Sequence, residues 1–186
     1  MPRLGVVLVS VREGRVGAAV ADWFAGRARG HGGFEVELMD LKAVDLPLLR
    51  EANHPRLQKY TEPKTIEWSR AVSELDAFVF VSPEYNFSTP PSLVNALDHL
   101  YHEWSYKAAG LVTYGGVSGG LRAAQMTRLM LTTFKMVPLV EAVSIPFVSK
   151  LLEEGRFTGG ESYDRAAHGM LDELLRWTNA LAALRT

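Results

Sequence analysis

The sequence contains no cysteine among its 186 residues. That absence excludes disulfide bonds, a thiolate nucleophile, cysteine-ligated zinc and cysteine-bound iron–sulfur clusters. A protein without disulfides suits a reducing compartment, so we predict a cytoplasmic location. The chain also lacks an excess of charge of one sign, since 20 Lys and Arg against 21 Asp and Glu leave a net charge of -1. Such a chain has no general attraction for nucleic acid or anionic membranes, and we predict neither as a partner.

Long apolar runs are missing as well. The first run, Leu4–Val9, is too short to span a bilayer, and no small-residue cleavage site of a signal peptide follows it. We interpret it as a strand that is buried on both faces. The length of the chain is typical of one domain, and we predict that residues 1–186 form a single domain.

Apolar runs and amphipathic stretches alternate along the chain. The predicted strands are Leu4–Val9, Phe34–Met39, Asp76–Val81, Ala108–Thr113 and Pro138–Ile145. Helices are predicted from Val16 to the glycines Gly30, Gly32 and Gly33, over Thr65–Leu75, over Ser92–Trp104 and over Leu121–Met136. A last helix carries Ala167, Leu171, Leu174, Thr178 and Leu181 on one side. This alternation implies right-handed crossovers and an α/β fold with a parallel sheet between two layers of helices. Because Phe34–Met39 alternates apolar and charged residues, it belongs at an edge, which favours the five-strand order 2-1-3-4-5.

In a sheet of this kind, ligands bind beyond the carboxyl ends of the strands, which directs attention to three loops. The loop after the first strand contains Ser10, Arg12, Arg15, Val16 and Gly17 and leads into a helix. Free N–H groups and the helix dipole favour an anion there, and guanidinium groups suit phosphate oxygens. Because the loop is neither a dinucleotide fingerprint nor a P-loop, it favours a terminal monophosphate over a pyrophosphate. A solvated turn with two surface arginines explains the same residues equally well.

The other two loops offer surfaces for a planar ring. After the third strand, a stiff segment can bring backbone polar groups and an aromatic face beside a flat heterocycle: Pro83, Glu84, Tyr85, Asn86 and Phe87. After the fourth strand, four of seven residues are glycine: Tyr114, Gly115, Gly116, Val117, Ser118, Gly119 and Gly120. Glycine loses the most backbone freedom on folding, so this run suits a backbone that passes close to a ligand.

Two weaker patterns lie between these loops. His99 and His102 are a possible metal pair, but with no third ligand in view, a solvated or interface helix end is the favoured interpretation. We therefore predict no metal site. Nearby, Tyr101, Trp104 and Tyr106 form an aromatic cluster, for which core packing, the wall of the pocket and a subunit interface are the alternatives. We favour the interface because aromatic residues are enriched there.

Taken together, these motifs resemble the NADPH-dependent FMN reductase family of flavodoxin-like proteins, three-layer sandwiches that include quinone, chromate and azo-dye reductases. The strongest pattern is Pro83-Glu84-Tyr85-Asn86 followed by Pro91, Leu93, Asn95, Ala96, Asp98 and Leu100. A second pattern is Tyr114-Gly115-Gly116 with the segment from Ser118 to Ala123, and a third is Arg15-Val16-Gly17 after Ser10 and Arg12. The resemblance covers essentially the whole chain.

The resemblance implies an FMN cofactor that is reduced by NADPH or NADH. It assigns the FMN phosphate to Ser10, Arg12, Arg15, Val16 and Gly17. Around the isoalloxazine ring it puts two segments, from Pro83 to Phe87 and from Tyr114 to Val117. It also implies a homodimer or homotetramer with the flavin near the subunit interface. In this arrangement, we expect the N–H groups of Gly115 and Gly116 to offset the negative charge of the reduced ring.

The reaction that the resemblance implies transfers a hydride from NAD(P)H to the flavin and electrons onward to a small-molecule acceptor. Quinones, free flavin, azo dyes and metal oxyanions are acceptors of this kind. Because the flavin carries the chemistry, no catalytic side chain is expected. The alternative is a non-enzymatic electron carrier of the flavodoxin type, whose usual strong acidity this chain does not share. A nucleotide-binding regulatory domain without a redox role is the third interpretation.

Overall fold

The computed structural model describes residues 1–185. Its strands are β1 (Arg3–Leu8), β2 (Glu35–Asp40), β3 (Ala77–Pro83), β4 (Ala108–Tyr114), β5 (Val137–Ile145), β6 (Leu152–Glu153) and β7 (Arg156–Phe157). Its α-helices are α1 (Gly17–His31), α2 (Leu41–Val44), α3 (Pro63–Ser73), α4 (Pro91–Asp98), α5 (Leu121–Thr133) and α6 (Glu161–Leu181). Within that described range, no helix has both the length and the hydropathy of a bilayer-spanning segment.

Strands β1 to β5 form one parallel sheet in the order β2-β1-β3-β4-β5, which confirms the predicted order. All residues of β3 and β4 are buried, whereas in the edge strand β2 only Met39 is buried. Central strands read as continuous apolar runs because helices cover both of their faces. The antiparallel β6–β7 hairpin, which the sequence patterns do not predict, lies outside this sheet.

Helices on the two faces of the sheet create two apolar cores. On one face, α1 and α6 pack with Val79 and Val81 of β3. On the other face, α3, α4 and α5 pack with Phe78 and Phe80 of the same strand. Successive residues of a strand point to opposite faces, so β3 supplies both cores and anchors the loop that follows it.

The helix predicted over Ser92–Trp104 is shorter in the structure. Helix α4 ends at Asp98, and a 3₁₀ turn at His102–Trp104 follows it. The helix is interrupted at Tyr101, whose φ of -140° and ψ of -66° lie outside the helical region. This turn directs Trp104 into the core, where it is fully buried. Trp104 is therefore a core residue, and its interpretation as an interface aromatic is wrong.

His99 is buried, so its prediction as a solvated or interface residue is also wrong. Its Nδ1 lies 2.8 Å from the hydroxyl oxygen of Thr65, and its Nε2 lies 3.0 Å from the carbonyl oxygen of Pro47. The amide of Asn95 donates to the same carbonyl at 2.8 Å. These contacts hold the long loop before α3 against α4, because they satisfy polar groups that water cannot reach.

Replacing His99 by alanine should lower the free energy of unfolding by about 3 kcal/mol, because a packed ring is lost and the Thr65 hydroxyl loses its partner. Urea unfolding followed by circular dichroism measures this change. The matched control is His102→Ala, which removes an exposed imidazole and should cost less than about 0.5 kcal/mol. Equal stability of the two variants would contradict the burial of His99.

Candidate functional site

The loops after β1, β3 and β4 meet at the carboxyl edge of the sheet around a cleft of about 370 Å³. Nine predicted residues line this cleft: Ser10, Arg12, Arg15, Val16, Pro83, Glu84, Tyr85, Tyr114 and Gly115. Two larger cavities, of about 620 Å³ and 520 Å³, lie away from this edge, and one of about 430 Å³ lies beside it, lined by Val11 and Ser92 among others. We assign the candidate site to the smaller cleft because ligands of parallel sheets bind at the switch point of the strand order, here between β1 and β3.

Five predicted residues lie outside the lining of the cleft. Gly17 is the buried first residue of α1. Asn86, Phe87, Gly116 and Val117 are exposed at the ends of the second and third loops. Phe87 and Val117 in particular present 69% and 76% of their surfaces to solvent. The three loops therefore contribute both the walls of the cleft and an apolar rim.

The N-terminus of α1 opens toward the first loop without a side-chain cap. Val16 is the N-cap residue, and its side chain has no polar atom that could accept a hydrogen bond. The first turn of the helix contains no acidic residue. The first N–H groups of a helix have no partner within the helix, so this end favours an anion. The predicted phosphate loop therefore lies where backbone chemistry alone already attracts negative charge.

The two arginines of this loop have different surroundings. Arg15 donates to the carbonyl oxygen of Ser10 at 2.7 Å and forms a bidentate ion pair with Asp40, of which the Nη1–Oδ1 contact is 2.7 Å. Burial alone would raise the pKa of Asp40, but the hydrogen bonds from Arg15 and the backbone lower it, so the carboxylate stays charged. Arg12 is exposed and forms no ion pair among residues 1–185. Arg15 therefore orders the loop, and Arg12 has the uncompensated charge.

The side chain of Tyr114 reaches the start of α1 from the third loop. Its hydroxyl is buried and has no hydrogen-bond partner in the described part of the chain. A Cβ atom at Gly17 would lie 2.1 Å from this hydroxyl oxygen, so the close approach requires glycine. Burial raises the pKa of Tyr114, and the hydroxyl stays protonated as a donor. A buried donor without a partner costs about 1–3 kcal/mol, and an anion at the helix start would supply the missing acceptor.

The second loop makes a tight turn between Tyr85 and Ser88, whose backbones exchange two hydrogen bonds of 2.9 and 3.0 Å. The turn needs positive φ at both central residues, 49° at Asn86 and 67° at Phe87. Asn tolerates this region, whereas an aromatic residue there is strained. The turn places the Phe87 ring at the rim, where the guanidinium carbon of Arg122 lies 4.1 Å from the ring centroid.

Glu84 connects the second loop to the helix that follows the third loop. Its carboxylate accepts from the Arg122 side chain at 2.8 Å and from the Arg122 backbone N–H at 3.0 Å, within the first turn of α5. Burial alone would raise the pKa of Glu84, but the hydrogen bonds from Arg122 and Ser118 lower it overall. The carboxylate therefore fixes the relative position of the two loops that form one side of the cleft.

The glycines of the third loop divide into two pairs. Gly119 and Gly120 have φ of 61° and 87°, and a Cβ at Gly120 would lie 2.9 Å from the backbone nitrogen of Tyr114, so the chain itself requires them. Gly115 and Gly116 have no such constraint, and a Cβ at Gly116 would meet nothing within 4 Å. The Gly115 N–H already donates to the carbonyl oxygen of Ile145 at 3.2 Å. The Gly115 N–H therefore already has an acceptor at the edge of the sheet, whereas the expected contact of the Gly116 N–H with a reduced ring stays a prediction.

Three residues of the lining were missed from the sequence. Glu13 and Gly14 lie in the first loop, between predicted positions, and only their neighbours carried a motif signal. Val148 comes from the segment after β5, and its N–H donates to the carbonyl oxygen of Gly115 at 3.2 Å. Nothing in the local sequence around Val148 indicates this contact, because it depends on β5 lying beside β4.

Glu84→Gln should reduce the free energy of unfolding at pH 7 by about 1 kcal/mol. A fully buried ion pair would contribute more, but Arg122 is about half exposed and solvent screens its charge. A carboxyl with a lowered folded-state pKa stabilises the fold above its unfolded pKa of about 4.3, and this stabilisation is lost as the pH falls through the folded-state value. The difference between wild type and variant should therefore shrink between pH 6 and pH 3. Urea unfolding at several pH values measures it.

The matched control for this experiment is Glu161→Gln, which breaks an exposed i,i+4 pair with Arg165. Exposed pairs contribute little, so this variant should differ from wild type by less than about 0.5 kcal/mol at every pH. A pH-independent effect of Glu84→Gln would contradict the pairing of a charged carboxylate with Arg122.

The sequence matches the model of the NADPH-dependent FMN reductase family over residues 2–150. It is 30% identical over 187 residues to an NAD(P)H-dependent FMN reductase of Schizosaccharomyces pombe, covering 99% of this chain and 86% of that protein. It is 34% identical over 145 residues to one of Saccharomyces cerevisiae, covering 72% and 75%. In structure it is similar to the flavoenzyme NAD(P)H:(acceptor) oxidoreductase FerB from Paracoccus denitrificans, with a TM-score of 0.76, 21% identity and coverage of 97% and 98%.

These matches confirm the family and the flavodoxin-like fold that the sequence motifs indicated. The chain belongs to the NADPH-dependent FMN reductase family, whose members are oxidoreductases that use FMN and NAD(P)H.

Proposed function

We propose that this protein binds FMN in the cleft between the three loops and reduces a small-molecule acceptor of the quinone type at the expense of NAD(P)H. The observation that carries the proposal is the combination of an uncapped helix start with an open glycine surface at one sheet edge. The first suits a phosphate monoester, and the second leaves room for a flat ring. The residues present therefore fit the cofactor that the family uses.

The phosphate end of the cofactor would lie at the start of α1. Its oxygens would accept from the first-turn N–H groups, from the guanidinium of Arg12 and from the buried hydroxyl of Tyr114. Arg15 would act indirectly, because its ion pair with Asp40 orders the loop. Ser10 is held by the Tyr85 hydroxyl at 2.8 Å, which ties the phosphate end to the loop beside the ring.

The ring would lie across the second and third loops. Gly116 offers open space, and Pro83, Tyr85 and Val148 provide apolar surface beside it. When bound, FMN supplies the redox chemistry, accepting hydride from NAD(P)H and passing electrons to the acceptor. The chain would bind and orient the cofactor. The Tyr114 hydroxyl keeps its proton because burial raises the pKa of Tyr114. Because the cofactor supplies the redox chemistry, the reaction requires no acid–base pair of side chains.

The apolar rim supports a homodimer in which a second copy covers the mouth of the cleft. Phe87, Val117 and Leu121 are all more than half exposed there. Contiguous apolar surface beside a ligand site is typical of an interaction surface. A tetramer of two such dimers and a cytoplasmic location remain predictions from the sequence.

The absorption spectrum of the purified protein, alone and after addition of FMN, tests the proposal directly. We expect flavin bands that bleach with NADPH under anaerobic conditions and return when a quinone is added. Sustained NADPH oxidation with the quinone distinguishes a reductase from an electron carrier, which would not turn over by itself. The control assay omits the protein but keeps free FMN. A protein that takes up no FMN would overturn the proposal and favour a domain without a redox role.

Arg12→Ala should raise the dissociation constant of FMN about tenfold, equivalent to about 1.4 kcal/mol, because a charged contact to the phosphate is lost. The dissociation constant of riboflavin, which has no phosphate, should stay nearly constant. Fluorescence quenching of each flavin by the apoprotein measures both values. Arg29→Ala, an exposed arginine near the other end of α1, is the matched control and should change neither. Equal weakening for both flavins would contradict a phosphate contact.

A further inference from the structure

Two histidines and one aspartate converge where the end of α1 meets α6, away from the cleft. His31 is the last residue of α1, and His168 and Asp172 lie one turn apart on α6, on the same face of that helix. The Nε2 atom of His31 is 3.1 Å from Oδ1 of Asp172, and that of His168 is 3.7 Å from Oδ2. One ligand atom from each of the three residues lies within 4.8 Å of the others.

These separations are close to those around a tetrahedral ion. Zinc lies about 2.0–2.1 Å from imidazole nitrogen and carboxylate oxygen, so two ligand atoms of a tetrahedral site are about 3.3 Å apart. The distance of 3.1 Å from His31 to Oδ1 of Asp172 is near that value, whereas the distance of 3.7 Å from His168 is to the other carboxylate oxygen. All three ligand atoms lie within 4.8 Å of one another, so the side chains must draw together to share one ion.

The surroundings hold the ligands in orientation. The His31 side chain is only 7% exposed and stacks on Phe34 with ring centroids 6.2 Å apart, so its Nε2 is fixed toward α6. A metal at Nε2 moves the imidazole proton to Nδ1, so the long 3.3 Å contact from the Gly33 N–H must give way.

Neighbouring charges do not prevent a cation from binding. Arg27 on α1 pairs with Asp164 at 2.9 Å, and Arg176 on α6 pairs with Glu173 at 2.7 Å. Each of these guanidinium groups therefore has a carboxylate partner of its own.

The cluster borders the cavity of about 620 Å³ between α1 and α6. Gly26, Gly30 and Gly169 line this cavity, and a Cβ at any of them would meet nothing within 4 Å. His168 and Asp172 are 66% and 50% exposed. An ion can therefore enter from solvent, and water can fill the remaining coordination position.

We propose that His31, His168 and Asp172 bind one divalent transition-metal ion of the zinc class, with water as the fourth ligand. Two imidazoles and one carboxylate suit zinc, cobalt, nickel and copper, whereas magnesium and calcium prefer oxygen ligands alone. The site lies at the end of α1 opposite the cleft, about 22 Å along a helix of 15 residues. The ion is a cross-link between α1 and α6 and takes no part in the redox reaction.

The test uses the full-length, tag-free protein after treatment with EDTA and removal of the chelator. Calorimetric titration with zinc chloride should give saturable binding of one ion per chain, and cobalt chloride should give visible ligand-field absorption of a low-coordinate ion. Zinc should also raise the melting temperature, because the metal binds only the folded arrangement. His168→Ala and Asp172→Asn should each weaken zinc binding about tenfold or more and abolish the thermal shift.

His102→Ala removes an exposed histidine elsewhere and is the matched control, which should bind zinc like the wild type. Both cluster variants change exposed side chains, and circular dichroism verifies that they fold. Absence of saturable zinc binding, or binding that persists unchanged in His168→Ala, would overturn the proposal. Reductase activity is a separate readout, so failure of the proposed function would leave the metal result interpretable.

Discussion

The order of the strands in the parallel sheet determines where the loops of the candidate site meet. Placing β1 between β2 and β3 makes the chain cross to the opposite side of β1 when it leaves β2. The connection that follows β1 and the connection that follows β3 leave the sheet in opposite directions, and a crevice remains between them at the carboxyl edge. All three loops that form the cleft begin at this edge because their strands are parallel and adjacent. The site is thus a consequence of topology, and the side chains adapt it to a ligand.

Within the cleft, polar groups divide into those that hold the loops and those that face the opening. Arg15 pairs with Asp40, and Glu84 pairs with Arg122, so four charges are used to order the backbone. Arg12 and the Tyr114 hydroxyl, by contrast, have no ion pair and no hydrogen-bond partner, respectively, among residues 1–185. Loops that are already held in place lose little conformational entropy when an anion binds, which favours a higher affinity for the anion.

Helix α1 joins the two sites that we propose. Its first turn presents N–H groups to the cleft, and its last residue, His31, faces α6. The body of the helix packs on the sheet through Val20 and Phe24, which keeps both ends in a fixed relation. The two ends are nevertheless chemically independent, since one attracts an anion and the other offers ligands to a cation.

Local sequence patterns were sufficient to predict the class of fold, the strand order, the three loops and the family. These features leave local signals in the sequence. Apolar runs indicate buried strands, and clusters of glycine, proline and polar residues indicate where strands end. Even so, the helical pattern over Ser92–Trp104 predicted a helix that is too long. Helix α4 ends at Asp98, because the burial of Trp104 in the core overrides helical periodicity. Glycine content alone also did not separate Gly119 and Gly120, which the backbone requires, from Gly116, which leaves space.

The partner of each polar group, by contrast, became clear only from the packing of the folded chain. Arg15 and Asp40 are 25 residues apart, and His31 and Asp172 are 141 residues apart. His99 likewise finds Thr65 and Pro47 in distant segments. Such pairs carry no periodic signal, because a single contact between distant residues leaves the pattern of their neighbours unchanged. Their existence depends on how helices and loops pack against the sheet, which local sequence does not encode.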